Sequence, residues 1–137
     1  MKQCLVDVNV WLGLVVLTME WFDGLEAREA GMCRVVQLGL VRLLANPSAI
    51  GKAAVSVSDA WKIAEKLLGD ARVEFVSEPS DIDATMPELL KYKEPTGKLV
   101  TDAYLAAFAI NSHKRFVTLD RGFRQFKGPE VEILSQS

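Results

Sequence analysis

Histidine is almost absent from this sequence: His113 is the single one in 137 residues. A Ser-His-Asp triad would have to use it, beside Lys114 at the expected end of a helix, and no G-x-S-x-G turn accompanies it. His113 reads instead as a helix C-terminal residue. Cysteine is nearly as scarce. Cys4 and Cys33 lie in apolar, strand-like segments without C-x-x-C or any other ligand spacing, so they read as buried free thiols suited to a reducing, cytoplasmic setting. Missing too are a G-x-G-x-x-G after the first strand and a G-K-[ST] P-loop, which removes the two commonest nucleotide-binding devices. No apolar run is long enough to span a bilayer. The N-terminal MKQCLVDVNVWLGLVVL is interrupted by Asp7 and Asn9 and no small-residue cleavage site follows, so neither a signal peptide nor membrane association is expected. Without repeats, low-complexity tracts or a linker, residues 1–137 read as one domain, half apolar and long enough for a single core.

A large positive charge is also lacking. The formal net charge of −2 argues against a general nucleic-acid coat protein, but the charge is unevenly spread. Between Lys91 and Lys127 eight basic residues face only Glu94, Asp102 and Asp120, whereas the first 90 residues carry more acids than bases. The basic stretch is either a solvated surface or a phosphate-binding one.

What is present is an alternation of short valine- and leucine-rich runs with longer stretches of helical period, the pattern of an α/β fold with a parallel sheet covered by helices on both faces. Strands are predicted at Gln3 to Val6, Met32 to Val36, Val73 to Val76, Phe116 to Leu119 and Glu130 to Leu134. Helices are predicted over the apolar run NVWLGLVV, over Gln37 to Leu44 before Asn46-Pro47, over Ser56 to Leu68 behind the cap Ser56-Val57-Ser58-Asp59 and ending at Gly69, and near Ser80 to Lys91. Lys93-Glu94-Pro95-Thr96-Gly97 reads as a loop, so the next helix, TDAYLAAFAI, is expected to begin near Thr101. Trp11, Trp21 and Trp61 fall in helical apolar patterns and are expected in the core.

That last helix poses a question. Nearly everything after Asp102 is apolar, which marks a helix buried on most sides, and a buried carboxylate needs a partner. Asp7 follows the first strand and Asp120 follows the strand FVTL, while Asp102 is expected in its helix's first turn. In a parallel sheet these positions share the edge where strands end and helices begin, the edge at which ligands bind. Each aspartate alone serves well as a helix cap. Three full charges at one edge, however, repel unless a cation lies among them, and an all-oxygen set without histidine or cysteine suits Mg²⁺ or Mn²⁺.

In LVDVNVWL, QLGLVRLLANP, KLVTDAYLAAFA and FVTLDRGFRQF, in that order and spacing, the sequence resembles the PIN-domain nucleases, in particular the VapC-type toxins of bacterial toxin-antitoxin pairs. The resemblance covers nearly the whole chain. It implies a PIN-like three-layer fold, a five-stranded parallel sheet with helices on both faces, and a carboxylate pocket holding Mg²⁺ or Mn²⁺. It also implies RNA as substrate, a cognate VapB-type antitoxin that blocks the pocket, and a homodimer. Residue by residue, the family's first, third and fourth acids match Asp7, Asp102 and Asp120, and Asn9 matches the small polar position after the first acid. The second family acid falls at Gln37, an amide that orients water or a ligand but brings no charge; Gln37 reads equally as a helix-start residue. The stretch between Leu12 and Phe22 is shorter than the family's first helical hairpin.

The chemistry these residues point to is metal-assisted phosphodiester hydrolysis, with one or two ions held by Asp7, Asp102 and Asp120; the resemblance implies an endoribonuclease that leaves a 3′-hydroxyl and a 5′-phosphate. Thr118 is either a hydrogen-bond partner of a carboxylate or a plain strand residue. Arg121 and Arg124 either hold phosphates or face solvent. Two rival readings stay open: a non-catalytic RNA- or protein-binding module of the same fold, and a metal-dependent phosphatase that uses the same acid pocket on small phosphoesters.

Overall fold

The computed structural model describes residues 3–17, 20–91 and 96–135. Five short strands, β1 (Cys4–Val6), β2 (Ala30–Met32), β3 (Val73–Phe75), β4 (Arg115–Thr118) and β5 (Val131–Ile133), form one sheet in the order β3-β2-β1-β4-β5. Every pairing is parallel. Strand order reverses between β1 and β4, the central pair, and side chains leaving the ends of these two strands converge at that switch point.

All three residues of β1 are fully buried. Since successive strand side chains point to opposite faces, both faces of the sheet are covered. One helical group consists of α1 (Val8–Leu17), α2 (Arg34–Leu44) and α4 (Val57–Leu68), which pack on one another; α5 (Ile82–Leu90) and α6 (Gly97–Asn111) form a second packed pair. A one-turn α3 (Pro47–Ile50) links α2 to α4. Within α1, Val10 and Trp11 are buried, and the Trp11 indole N–H donates to the Val6 carbonyl at 3.1 Å, so the ring enters the core without stranding its polar edge. Gly31 permits the β1–β2 approach: a Cβ there would lie 2.7 Å from the Cys4 carbonyl oxygen.

Several predicted signals act as read. The Ser56 hydroxyl accepts from the Asp59 N–H at 3.1 Å, Gly69 ends α4, and α2 stops at Leu44 before the Asn46-Pro47 start of α3. His113 follows the end of α6 with a positive φ of 56°. Cys4 and Cys33 are buried free thiols, and burial pushes the Cys4 thiol up to about 11.

Three expectations are corrected. The second strand is Ala30–Met32 rather than Met32 to Val36: Cys33 is the N-cap of α2, and Val35 and Val36 belong to the helix. A short apolar run such as MCRVV fits either state, and tertiary packing decides. The α6 helix starts at Gly97, not near Thr101, because the Thr96 hydroxyl caps it by accepting from the Leu99 N–H at 3.3 Å. Asp102 therefore stands in the second turn. Of the predicted loop, Lys93, Glu94 and Pro95 lie outside the described residues. Trp61 is 38% exposed rather than core, while Trp11 is fully buried.

Candidate active site

The site is built around one hydroxyl. Thr118, the last residue of β4, is fully buried, and its Oγ1 donates to Asp7 Oδ2 at 2.7 Å. The same oxygen accepts from the Asp120 backbone N–H at 3.0 Å and from the Asn9 side-chain amide at 3.4 Å. A threonine hydroxyl has one proton and two lone pairs, and all are engaged. Asn9 completes the junction, its Oδ1 accepting from the Leu119 N–H at 3.2 Å. The ends of β1 and β4 and the start of α1 are thus tied at the switch point, and the sequence's strand-like Thr118 is its hub.

Asp7 is only 5% exposed. Its other oxygen, Oδ1, accepts from the Val8 N–H at 2.8 Å, and Oδ2 receives the Thr118 hydroxyl. Burial raises the carboxyl above its ordinary range; these two hydrogen bonds pull it down, and the negative charges of Asp102 and Asp120 push it up again. Asp102 and Asp120 thus both lie near enough for their charge to be felt at Asp7. Asp102 and Asp7 also line one groove of about 400 Å³ whose walls include Val8, Val35, Leu38, Arg42 and Thr101.

Asp120 caps the turn at Arg121–Gln125, its Oδ1 accepting from the Gly122 N–H at 2.8 Å. Its Oδ2 receives the Lys98 ammonium at 2.7 Å, and that same ammonium reaches Asp102 Oδ2 at 3.0 Å. Lys98 holds the Asp120 carboxyl below the ordinary range. Lys98 went unnoticed in the sequence; the signal available was its spacing of four residues from Asp102, which places both on one helical face.

Gln37 is drawn in differently. It is buried, with 2% exposure, on the fourth residue of α2, and its Oε1 accepts from the Arg34 guanidinium, which lies 4.7 Å from the centre of the Phe75 ring. The amide is thus engaged by a cation at the neighbouring strand ends rather than by the Thr118 junction. Arg121 and Arg124 are exposed on the turn that Asp120 caps.

Among the described residues, no three His, Cys, Asp or Glu side chains are gathered closely enough to cage a metal ion as they stand. The donor chemistry nonetheless fits a hard divalent cation. Three carboxylates supply oxygen only, Asp7 is buried with no cationic partner among the described residues, and a cation, the Lys98 ammonium, already lies between Asp102 and Asp120.

The PIN domain sequence profile matches residues 4–129. The chain is 31% identical over 144 residues to Ribonuclease VapC41 of Mycobacterium tuberculosis, spanning 96% of this chain and 99% of that one. Ribonuclease VapC44 of the same organism is 31% identical over 127 residues, 87% of each chain. Among solved structures, the DNA-bound VapBC of Salmonella typhimurium superposes with a TM-score of 0.72 at 16% identity, over 97% of this chain and 98% of that one. PAE2754 of Pyrobaculum aerophilum superposes with a TM-score of 0.65 at 19% identity, over 95% and 89%. At such identities the structural likeness speaks to fold alone. The chain belongs to the PIN-domain family, with the α/β architecture of a five-stranded parallel sheet and its covering helices.

Proposed function

We infer that this protein is a VapC-type endoribonuclease, the toxin of a toxin-antitoxin pair, working in the cytoplasm on RNA and restrained by a VapB-type antitoxin. The observation that carries the reading is the Thr118 junction: one buried hydroxyl fastens Asp7 to the backbone of Asp120 at the switch point, with Asp102 lining the same groove as Asp7. Such an arrangement is expensive to maintain for structure alone, since Asp7 is held buried beside two further negative charges.

We propose Asp7, Asp102 and Asp120 as the ligands of Mg²⁺ or Mn²⁺. A divalent ion held there would polarise the scissile phosphate and lower the pKa of an attacking water. Thr118 and the Val8 N–H fix both oxygens of Asp7, leaving its remaining lone pairs as acceptors toward the groove. Asn9 locks the Thr118 hydroxyl and the Leu119 backbone, so the Asp120 carboxylate projects from a fixed strand end. The exposed Arg121 and Arg124 sit where they can attract the phosphates flanking the cleaved bond. Gln37, neutral and bound to Arg34, adds no charge, so a single ion is the natural complement of three carboxylates. The groove beside Asp7 and Asp102, apolar with both acids and Arg42 in its lining, suits an antitoxin segment that presents charged side chains among apolar ones. A homodimer is the expected assembly of the free toxin.

Structured RNA incubated with the parent protein in Mg²⁺, in Mn²⁺ and in EDTA tests this reading. Cleavage should require the ion, and Asp7→Ala or Asp120→Ala should each lose at least about 100-fold in rate, the order of effect expected when a group stabilising the transition state is removed. Cleavage that persists in EDTA would refute it, as would hydrolysis of small phosphoesters with RNA left intact.

A further inference from the structure

We propose that Lys98 is a resident counter-cation of the acid pocket, which holds Asp102 and Asp120 together in the ion-free protein and must be displaced when a divalent ion binds. The proposal rests on the reading of Asp7, Asp102 and Asp120 as the ion's ligands. Its basis is geometric. Lys98 lies in the first turn of α6, one turn before Asp102, and its Nζ is 3.0 Å from Asp102 Oδ2 and 2.7 Å from Asp120 Oδ2. The first contact is local; the second joins α6 to the end of β4 across 22 residues of sequence. Two carboxylates brought side by side from different elements repel, and here an ammonium stands between them.

A lysine is suited to a temporary part. Its charge is compact and sits on a flexible four-carbon stem, and this side chain is 69% exposed, so the ammonium can leave without disturbing the core. Arg115 shows the contrasting case. Its guanidinium, 18% exposed, reaches Glu29 and Glu132 at the opposite end of the sheet and serves as fixed scaffold. Among the described residues no ammonium reaches Asp7; its two oxygens are held by Thr118 and Val8. An arriving ion thus meets one acid that is already fixed and two that are paired with a side chain free to swing away. Lys98 keeps these two acids close in the absence of the ion and lowers the affinity with which the ion is taken up.

The experiment is a calorimetric Mn²⁺ titration of the parent, Lys98→Met and Lys98→Arg, with each protein also melted in EDTA. Methionine keeps the aliphatic stem and removes the charge. Lys98→Met should bind Mn²⁺ roughly three- to thirty-fold more tightly, the range that two exposed ion pairs supply. It should melt a few degrees below the parent in EDTA, with the gap closing in saturating Mn²⁺. Lys98→Arg should stay near the parent in EDTA. If the parent binds Mn²⁺ and Lys98→Met binds it no more tightly, the counter-cation role is overturned while the site reading stands. An unchanged melting temperature of Lys98→Met in EDTA overturns it equally. If the parent binds no Mn²⁺, the reading of the acids as ligands fails and the proposal falls with it.

Discussion

Replacing Thr118 by valine removes one oxygen and almost no volume, so the cost of the change measures the hub rather than a cavity. The hydroxyl is fully buried and donates to the carboxylate of Asp7 at 2.7 Å, a bond to a charged acceptor; such bonds contribute about 1.5–3 kcal/mol. It also accepts from the Asp120 N–H at 3.0 Å, which adds about 1 kcal/mol when the donor is left partly unmet. Thr118→Val should therefore lose about 2–4 kcal/mol. With an unfolding entropy of about 2.1 cal/mol/K per residue, that is a fall in melting temperature of roughly 7–14 °C. Urea or heat unfolding in EDTA across a pH series is the assay, because the loss should itself depend on pH. Burial raises the folded-state pKa of Asp7, so its contribution favours folding below the unfolded value of about 3.9 and is lost as pH rises through the folded value and the buried charge appears. Thr118 offsets part of that cost by stabilising the charge, so the deficit of Thr118→Val should widen as pH rises above about 4. Thr118→Ser, which keeps the hydroxyl, should cost about 1 kcal/mol for the lost methyl and leave the pH dependence parental. A deficit of Thr118→Val below about 0.5 kcal/mol, or one that is flat with pH, would refute the hub and its coupling to an ionised Asp7.

Two further outcomes are expected. Gln37→Glu places a carboxylate where Arg34 already donates, so the fold should change by no more than about 1 kcal/mol, while Mn²⁺ affinity measured by calorimetry should rise; equal affinity would place this residue outside the ion's reach. His113→Asn, chosen because asparagine tolerates the φ of 56° at this position, should cleave RNA at the parental rate, and a tenfold loss would point to an imidazole base and a different chemistry.

The acids were legible in the sequence because each stands at a punctuation mark. Asp7 separates a strand-like CLV from a helical run and Asp120 separates FVTL from a turn, so the sheet's edge could be named before the fold was known. The partners of those acids were not legible, because they come from far along the chain: the Asp7–Thr118 bond spans 111 residues and the Lys98–Asp120 pair spans 22. Local pattern carries no information on such distances. The placement of Asp102 failed for a smaller reason. Glycine after a proline reads as loop, yet Gly97 begins the helix because Thr96 supplies the cap, and the acid moves from the first turn to the second. Lys98 enters the helix by the same shift and becomes the neighbour of Asp102. At β2 the miss was one of type, since the segment around Cys33 holds enough valine for a strand and is converted to helix by packing of its buried face.

Strand order has a consequence for the making of the protein. Of the five strands β1 comes first in sequence and lies at the centre of the sheet, while its partner on one side, β4, comes fourth. Asp7 must wait for Thr118, 111 residues later, a delay of roughly 5–20 s at ordinary rates of synthesis. Until then the three acids cannot share an edge, and a nascent chain carries a half-sheet with no working centre. The Thr118 junction is therefore a contact that only the nearly complete chain can make, when β4 takes its place beside β1.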